Sequence, residues 1–300
     1  MLITRTNMDT LFASYNAAFR DGVEAMQASS QYMQVATVVP SSTAEEVYAW
    51  LGKISGLKEW IGERQVRNVR QHGYTLRNRD FEDTVEVDRN HIEDDKFGIY
   101  APLFARLGEA VGAHPDELVW PLLKEGFSEL CYDGQYFFDS DHPVIQADGS
   151  TGTVSNTGGG NGTPWYLMDL RGSFKPLVFQ LRKRADNIVR KDREEDDNVF
   201  DRRHFQYGVH ARSEAGFGFW QKAYGSKQAL NKANYEAARV ALHGMKGDHG
   251  RPLGMMPTHL VVPPALEKEG LELVNAERDA AGATNVYRGT AQLLMVPWLA

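Results

Sequence analysis

The chain has 300 residues, 42% hydrophobic and 24% charged, enough for one large domain or two smaller ones around a sizeable core. Its net charge of −7 excludes a protein that coats nucleic acid through a general excess of positive charge. Cys131 is the only cysteine, so no intrachain disulfide can form; at the end of an apolar segment it reads as a buried, inert thiol.

The opening MLITRTNMDTLF lacks the basic, apolar and small-residue succession of a signal peptide, and no apolar run is long enough to span a membrane. It predicts an amphipathic helix capped by Asp9 or Thr10, with Leu11, Phe12, Tyr15, Phe19 and Val23 on one face. A polar tether, Ser29 to Gln31, follows. Such a helix can pack on its own body or on a neighbour, and the sequence leaves both open. An extended run from Val35 to Val39 then ends at Pro40.

Residues 46–90 have little with which to build an independent core. Val47 to Leu51 and Thr84 to Val87 read as strands. Between them lie Gly52, Gly56, Gly62 and Gly73 together with Arg64, Arg67, Arg70, Arg77 and Arg79. A long two-stranded projection fits this stretch better than a domain, and such a hairpin is only marginally stable alone. It therefore needs a partner surface. Trp60, His72 and Tyr74 among the arginines could stack on bases, but Glu59, Glu63, Asp80, Glu82 and Asp83 mix the signs in a way that suits a protein contact.

Ile99, Leu103, Phe104, Leu107, Ala110 and Val111 trace the strongest helical stripe. Pro115 suits a first helical position, with Asp116 and Glu117 facing the positive end of a helix dipole, and Pro121 implies a kink. Residues 98–127 thus read as two helices or one broken helix. QADGSTGTVSNTGGGNGTP (146–164) reads as a flexible loop, and RKDREEDDN (190–198) as a solvated patch. Strands are expected at Trp165–Met168, Leu177–Leu181, His259–Val262 and Ala291–Val296. Phe205–Ala211 and Phe217–Tyr224 should pair around Ser213–Gly216. Helices are expected at Lys232–Leu242 and from Pro264 to Glu277. Helices and strands mix without strict alternation, which gives an α+β class.

Chemical motifs are sparse. The glycines at 158, 159, 160 and 162 miss the dinucleotide spacing, and neither a Gly-Lys-Ser/Thr loop, a G-x-S-x-G elbow nor an HExxH pair occurs. Asp139, Asp141 and His142 in FDSDHP could ligate a metal, but Asp residues before a proline commonly stabilise a turn. His243 and His249 lack the spacing of a zinc pair.

Several segments resemble Mu-like prophage major head subunits: YAWLGKISGLKEWIGER (48–64), FEDTVEVDRNHIEDDKFGIYAP (81–102), PDELVWPLLKEGF (115–127), YDGQYFFDSDHPV (132–144) and PTHLVVPPALEKE (257–269). The resemblance covers most of the chain in unbroken order. It implies the tailed-phage major capsid fold, with an N-terminal arm (1–45), an extended loop (46–84), a peripheral domain (85–224) with a spine helix (98–127), and an axial domain (225–300). It further implies a virion subunit, made in the host cytoplasm, that self-assembles into hexamers and pentamers of an icosahedral shell. That shell would enclose DNA without sequence-specific binding, work with scaffold, portal and decoration proteins, and need no cofactor, metal, membrane or catalytic residue. Assembly contacts are expected from Trp60, Ile61, Arg64, Arg67, Arg70, Tyr74, Arg77 and Arg79, and arm packing from Leu11, Phe12, Tyr15 and Phe19. The rival readings are a soluble metal-dependent enzyme using Asp139, Asp141 and His142, and another virion component such as a tail or decoration protein.

Overall fold

The computed structural model describes residues 3–48, 74–94, 99–279 and 281–300. Helix α1 (Arg5–Ser29) starts one turn earlier than expected, because the Thr4 hydroxyl rather than Asp9 or Thr10 accepts an orphan amide, that of Asn7 at 3.3 Å. Its buried face is Met8, Leu11, Tyr15, Phe19 and Gly22, the expected stripe ending on Gly22. The single turn α2 (Tyr32–Val35) leads into strand β1 (Ala36–Pro40). Strands β2 (Glu45–Val47) and β3 (Thr75–Arg77) pair antiparallel and form the base of the expected projection. Strand β4 (Arg79–Asp88) and the short α3 (Arg89–Glu93) follow.

Helix α4 (Ala101–Glu125) is continuous, in contrast to the expected break. Pro115 and Pro121 both lie inside it, where each withholds an amide from the carbonyl four residues back. Burial of Phe104, Leu107, Val119, Trp120 and Leu123 along one face keeps the helix whole. With no helix start at Pro115, Asp116 meets no helix dipole. Its buried carboxylate instead accepts the Gln31 and Tyr32 amides at 3.2 and 2.9 Å, the Trp120 indole at 2.7 Å and the Ser30 hydroxyl. One side chain thus fixes the polar tether to the long helix. Asp116→Ala leaves these buried donors without an acceptor and should cost about 2–4 kcal/mol, read as a lower urea midpoint.

Strands β5 (His142–Ile145) and β6 (Thr151–Val154) form a hairpin, followed by β7 (Thr157–Gly160) and β8 (Trp165–Met168). Residues 146–164 are therefore not a free loop: β6 pairs with β5, and β7 pairs parallel with a later strand. Strands β9 (Leu177–Lys183) and β10 (Val189–Lys191), helix α5 (Asp197–Arg202) and strand β11 (His204–Phe217) come next. The 190–198 patch, expected to be solvated, is partly folded in. Asp192 is buried with Arg5 and Arg190 each 3.6 Å away, and Asn198 donates to the Lys191 and His204 carbonyls.

Strand β11 replaces the expected hairpin around Ser213–Gly216. It runs unbroken past those residues, with β4 along one edge and β10 then β9 along the other, and shifts register between Arg212 and Ser213. With β1 parallel to β9, these strands make the first sheet. Strand β12 (Ala223–Lys227), helix α6 (Lys232–His243), the small ladder β13 (Lys246–Gly247) and β14 (Arg251–Pro252), strand β15 (His259–Val262), helix α7 (Glu267–Val274) and strand β16 (Gln292–Met295) complete the chain. A second sheet has the order β16-β15-β8-β12-β7. The expected boundary at 224/225 falls inside β12, and β7 and β8 join this sheet from the earlier part of the chain. One apolar cluster joins α1 and α4 to the first sheet around Phe104 and Tyr207; a larger one includes Trp120, Trp165, Trp220 and Leu260.

Candidate assembly surface

The N-terminal helix decides between the two packings that the sequence left open. Leu11, Tyr15 and Phe19 are buried, and Phe12 partly so, against the chain's own body. The Tyr15 ring stacks on Phe104 with centroids 4.1 Å apart, and both meet Tyr207 edge-on at 5.6 and 5.4 Å. Phe12 lies under the Arg190 guanidinium at 4.5 Å. Gly22 and Gly108 let α1 and α4 touch backbone to backbone: a Cβ on either would lie 2.0 Å from a carbonyl oxygen of the other helix.

Of the expected assembly residues, Trp60, Ile61, Arg64, Arg67 and Arg70 lie outside the described residues. Tyr74 and Arg79 are engaged within their own chain. The Tyr74 hydroxyl accepts the Phe217 amide at 2.9 Å, and burial pushes its phenol up to about 12. Arg79 forms a two-pronged pair with Glu214 at 2.6 and 2.9 Å. Arg77 is exposed on β3. The base is held further by Gln180, whose side chain accepts the Tyr48 hydroxyl at 2.8 Å and donates to Leu76 and Asn78.

The suggested metal group regroups in space. Asp139 accepts the Tyr136 and Ser140 amides, as a turn residue does. His142 turns away from it, fully buried, and stacks on Trp220 with centroids 3.9 Å apart and planes 8° from parallel. Its Nδ1 lies 2.8 Å from an Asp133 oxygen and its Nε2 3.1 Å from the Asn156 side-chain oxygen. Asn156 cannot be reversed, since its amide nitrogen donates to the Phe137, Trp220 and Ala223 carbonyls while its oxygen accepts the Asp139 amide. Both ring nitrogens therefore face acceptors.

Cys131 donates to the other Asp133 oxygen at 3.0 Å. Burial above all, then the neighbouring carboxylate, raises its thiol far above the ordinary value, as expected of an inert cysteine. Burial also pushes Asp133 up, but hydrogen bonds from His142, Cys131 and the Gln135 amide outweigh it and hold the carboxyl below the ordinary aspartate value. Cys131, Asp133 and His142 bring their ligand atoms within 4.8 Å of one another, yet each is already closed by hydrogen bonds. The arrangement does the work of a staple. Sequence reasoning grouped His142 with Asp139 and Asp141; the Asp-Gly pair at 133–134 marked a turn but not its partner.

The fold therefore offers well-packed layers and a projecting base in place of a reactive cleft. A family model described as Mu-like prophage major head subunit gpT matches residues 8–299. The chain belongs to that family. As a major head subunit it is a component of the virion. It is 41% identical to the major capsid protein of Escherichia phage Mu across the whole of both chains. Among solved structures, the procapsid of bacteriophage JBD30 matches with a TM-score of 0.87 and 44% identity, covering 99% of this chain and 100% of that one. The JBD30 capsid decorated with minor capsid protein trimers matches with a TM-score of 0.75 and 34% identity, covering 90% of this head subunit and 91% of that chain. The tailed-phage major capsid fold expected from the sequence is thus the fold of this head subunit. No helix among the described residues is long and apolar enough to cross a membrane.

Proposed function

We propose that this head subunit builds its shell by self-association into hexamers with pentamers at the vertices, closing around double-stranded DNA. What supports this is the end-to-end likeness to shell subunits, together with a body that packs its own N-terminal helix and holds the base of the 46–84 extended loop on buried polar contacts. Residues 1–45 serve as the arm and 46–84 as the loop. The first sheet with α4 forms the peripheral part, and the second sheet, including β7 and β8, joins 225–300 in the axial part. Trp60 and Ile61 bury apolar area on an adjacent copy, while Arg64, Arg67, Arg70 and Arg77 pair with its carboxylates. Single surface ion pairs contribute little, and repetition over a closed shell multiplies them.

The JBD30 capsid carries minor capsid protein trimers; a decoration protein, a scaffold and a portal are partners of the same kind for this chain. A wall with net charge −7 encloses DNA without holding its phosphates. No catalytic residue, cofactor or metal takes part in this function.

The test is a deletion that spares the base. Leu76 and Asn78 are buried, so the cut must stop before Tyr74. Replacing 52–70 with a short Gly-Ser turn should leave soluble subunits with an unchanged urea midpoint that form no closed particles by electron microscopy. Particles of normal size from this variant would rule out the loop's role.

A further inference from the structure

A half-open crevice of about 240 Å³ lies where α4 crosses the first sheet. Its apolar wall includes Leu107 and Val111 from the helix and Phe81 and Val209 from the sheet. Around it stand four carboxylates, Glu82, Asp83, Glu117 and Asp186, against two cations, Lys183 and Arg184. An apolar slot with an acidic surplus calls for an apolar group flanked by positive charge.

The chain itself contains such a segment. Residues 49–73 carry five Lys and Arg against two Glu, a charge of +3, in a chain whose total is −7, so the rest carries −10. Trp60 and Ile61 are followed there by Arg64 and Arg67. Resting on the assembly reading above, we infer that the crevice receives Trp60 and Ile61 from residues 49–73 of a second copy of this chain, with Arg64 and Arg67 meeting the acidic rim.

The second copy, rather than the same one, follows from the direction of β3. Arg79 pairs in register with Ser213, and the Leu76 side chain lies against Gly216, so β3 continues the line of β4 along β11. Phe81 and Asp83 lie the other way along that line, opposite Ala211 and Val209. At Tyr74 the chain is therefore already heading away from its own crevice. Twenty-five residues out and back reach roughly 40 Å at strand spacing, enough to cross onto an adjacent subunit. An indole buries about 150–250 Å², which suits a slot of this size.

The experiment places the photoreactive residue benzoylphenylalanine at position 60 and assembles particles from an equal mixture with ¹⁵N-labelled unmodified chain. After irradiation, adducts should join unlabelled position 60 to labelled peptides around Val111 or Val209. Adducts to the same chain, or to any other surface of a neighbour, overturn the crevice while leaving the shell reading intact. Failure of the unmodified chain to form particles overturns both.

Charge supplies an independent arm. Asp83→Arg with Glu117→Arg should lower particle yield about tenfold or more, by setting like charges together. Adding Arg64→Glu and Arg67→Glu should restore it. Full yield from the first pair alone, or no recovery in the combined variant while its subunits remain folded, overturns the proposal.

Discussion

Gly108→Ala should detach the N-terminal helix from α4 and destabilise the subunit by about 3–5 kcal/mol. Helix propensity alone has the opposite sign, since alanine is better than glycine in a helix interior by about 1 kcal/mol. Geometry decides the outcome. The new Cβ would lie 2.0 Å from the Phe19 carbonyl oxygen and 2.9 Å from the Val23 amide, and neither backbone atom can swing aside as a side-chain tip could. The helices must separate, and separation pulls Tyr15 from its stack on Phe104 and opens the cluster around Tyr207. Gly22→Ala meets the Ala105 carbonyl at the same 2.0 Å and should behave alike. Gly112→Ala presses partly on the adaptable Met26 side chain and should cost less. Urea midpoints rank the three, and faster hydrogen exchange confined to 5–29 would show that α1 has come free. A Gly108→Ala subunit more stable than the parent would disprove so close a crossing.

The sequence made the single elements legible where periodicity alone determines them. The stripe Leu11, Tyr15, Phe19 and the face of α4 were readable because a helix repeats its buried positions within a turn or two. What failed were stretches whose fate depends on distant partners. Pro115 carries the local signature of a helix start, and only the packing of α4 over its whole length overrides it. Ser213 to Gly216 has turn composition, yet β4 and β9 hold it extended from two sides. The glycines at 157–160 look mobile until β12 pairs with them. At the candidate site, His142 was noticed for the wrong partners: Asp139 and Asp141 are neighbours in sequence, while Asp133 and Asn156 arrive through the turn and the hairpin. The loop's need for a partner surface came from its composition; the surface itself, shared between α4 and a sheet, has no local sequence pattern.

Replacing His142 should have the second large effect. In His142→Ala the Asp133 carboxylate stays buried with only the Cys131 thiol and the Gln135 amide, and Trp220 loses the ring stacked on it. Removing one partner of a buried pair costs about 3–5 kcal/mol, because a charge is left uncompensated. His142→Phe separates the causes: it keeps a ring on Trp220 and most of the volume but donates nothing, so it should recover only the packing share. The pH dependence supplies a sharper signature. In the parent, Asp133 is held below the ordinary aspartate value of 3.8, so its contribution is complete above that value and is lost as pH falls through the lower folded one. In His142→Phe the largest opposing influence is gone, and burial raises Asp133 above the ordinary value. The sign then reverses: Asp133 is stabilising while protonated at low pH, and its share is lost as pH rises through the raised value. Urea midpoints for both proteins between about pH 3 and 6 should therefore diverge steadily, the parent gaining on the variant as pH rises. Parallel curves would mean that Asp133 draws nothing from His142, and the staple would then be held by packing alone.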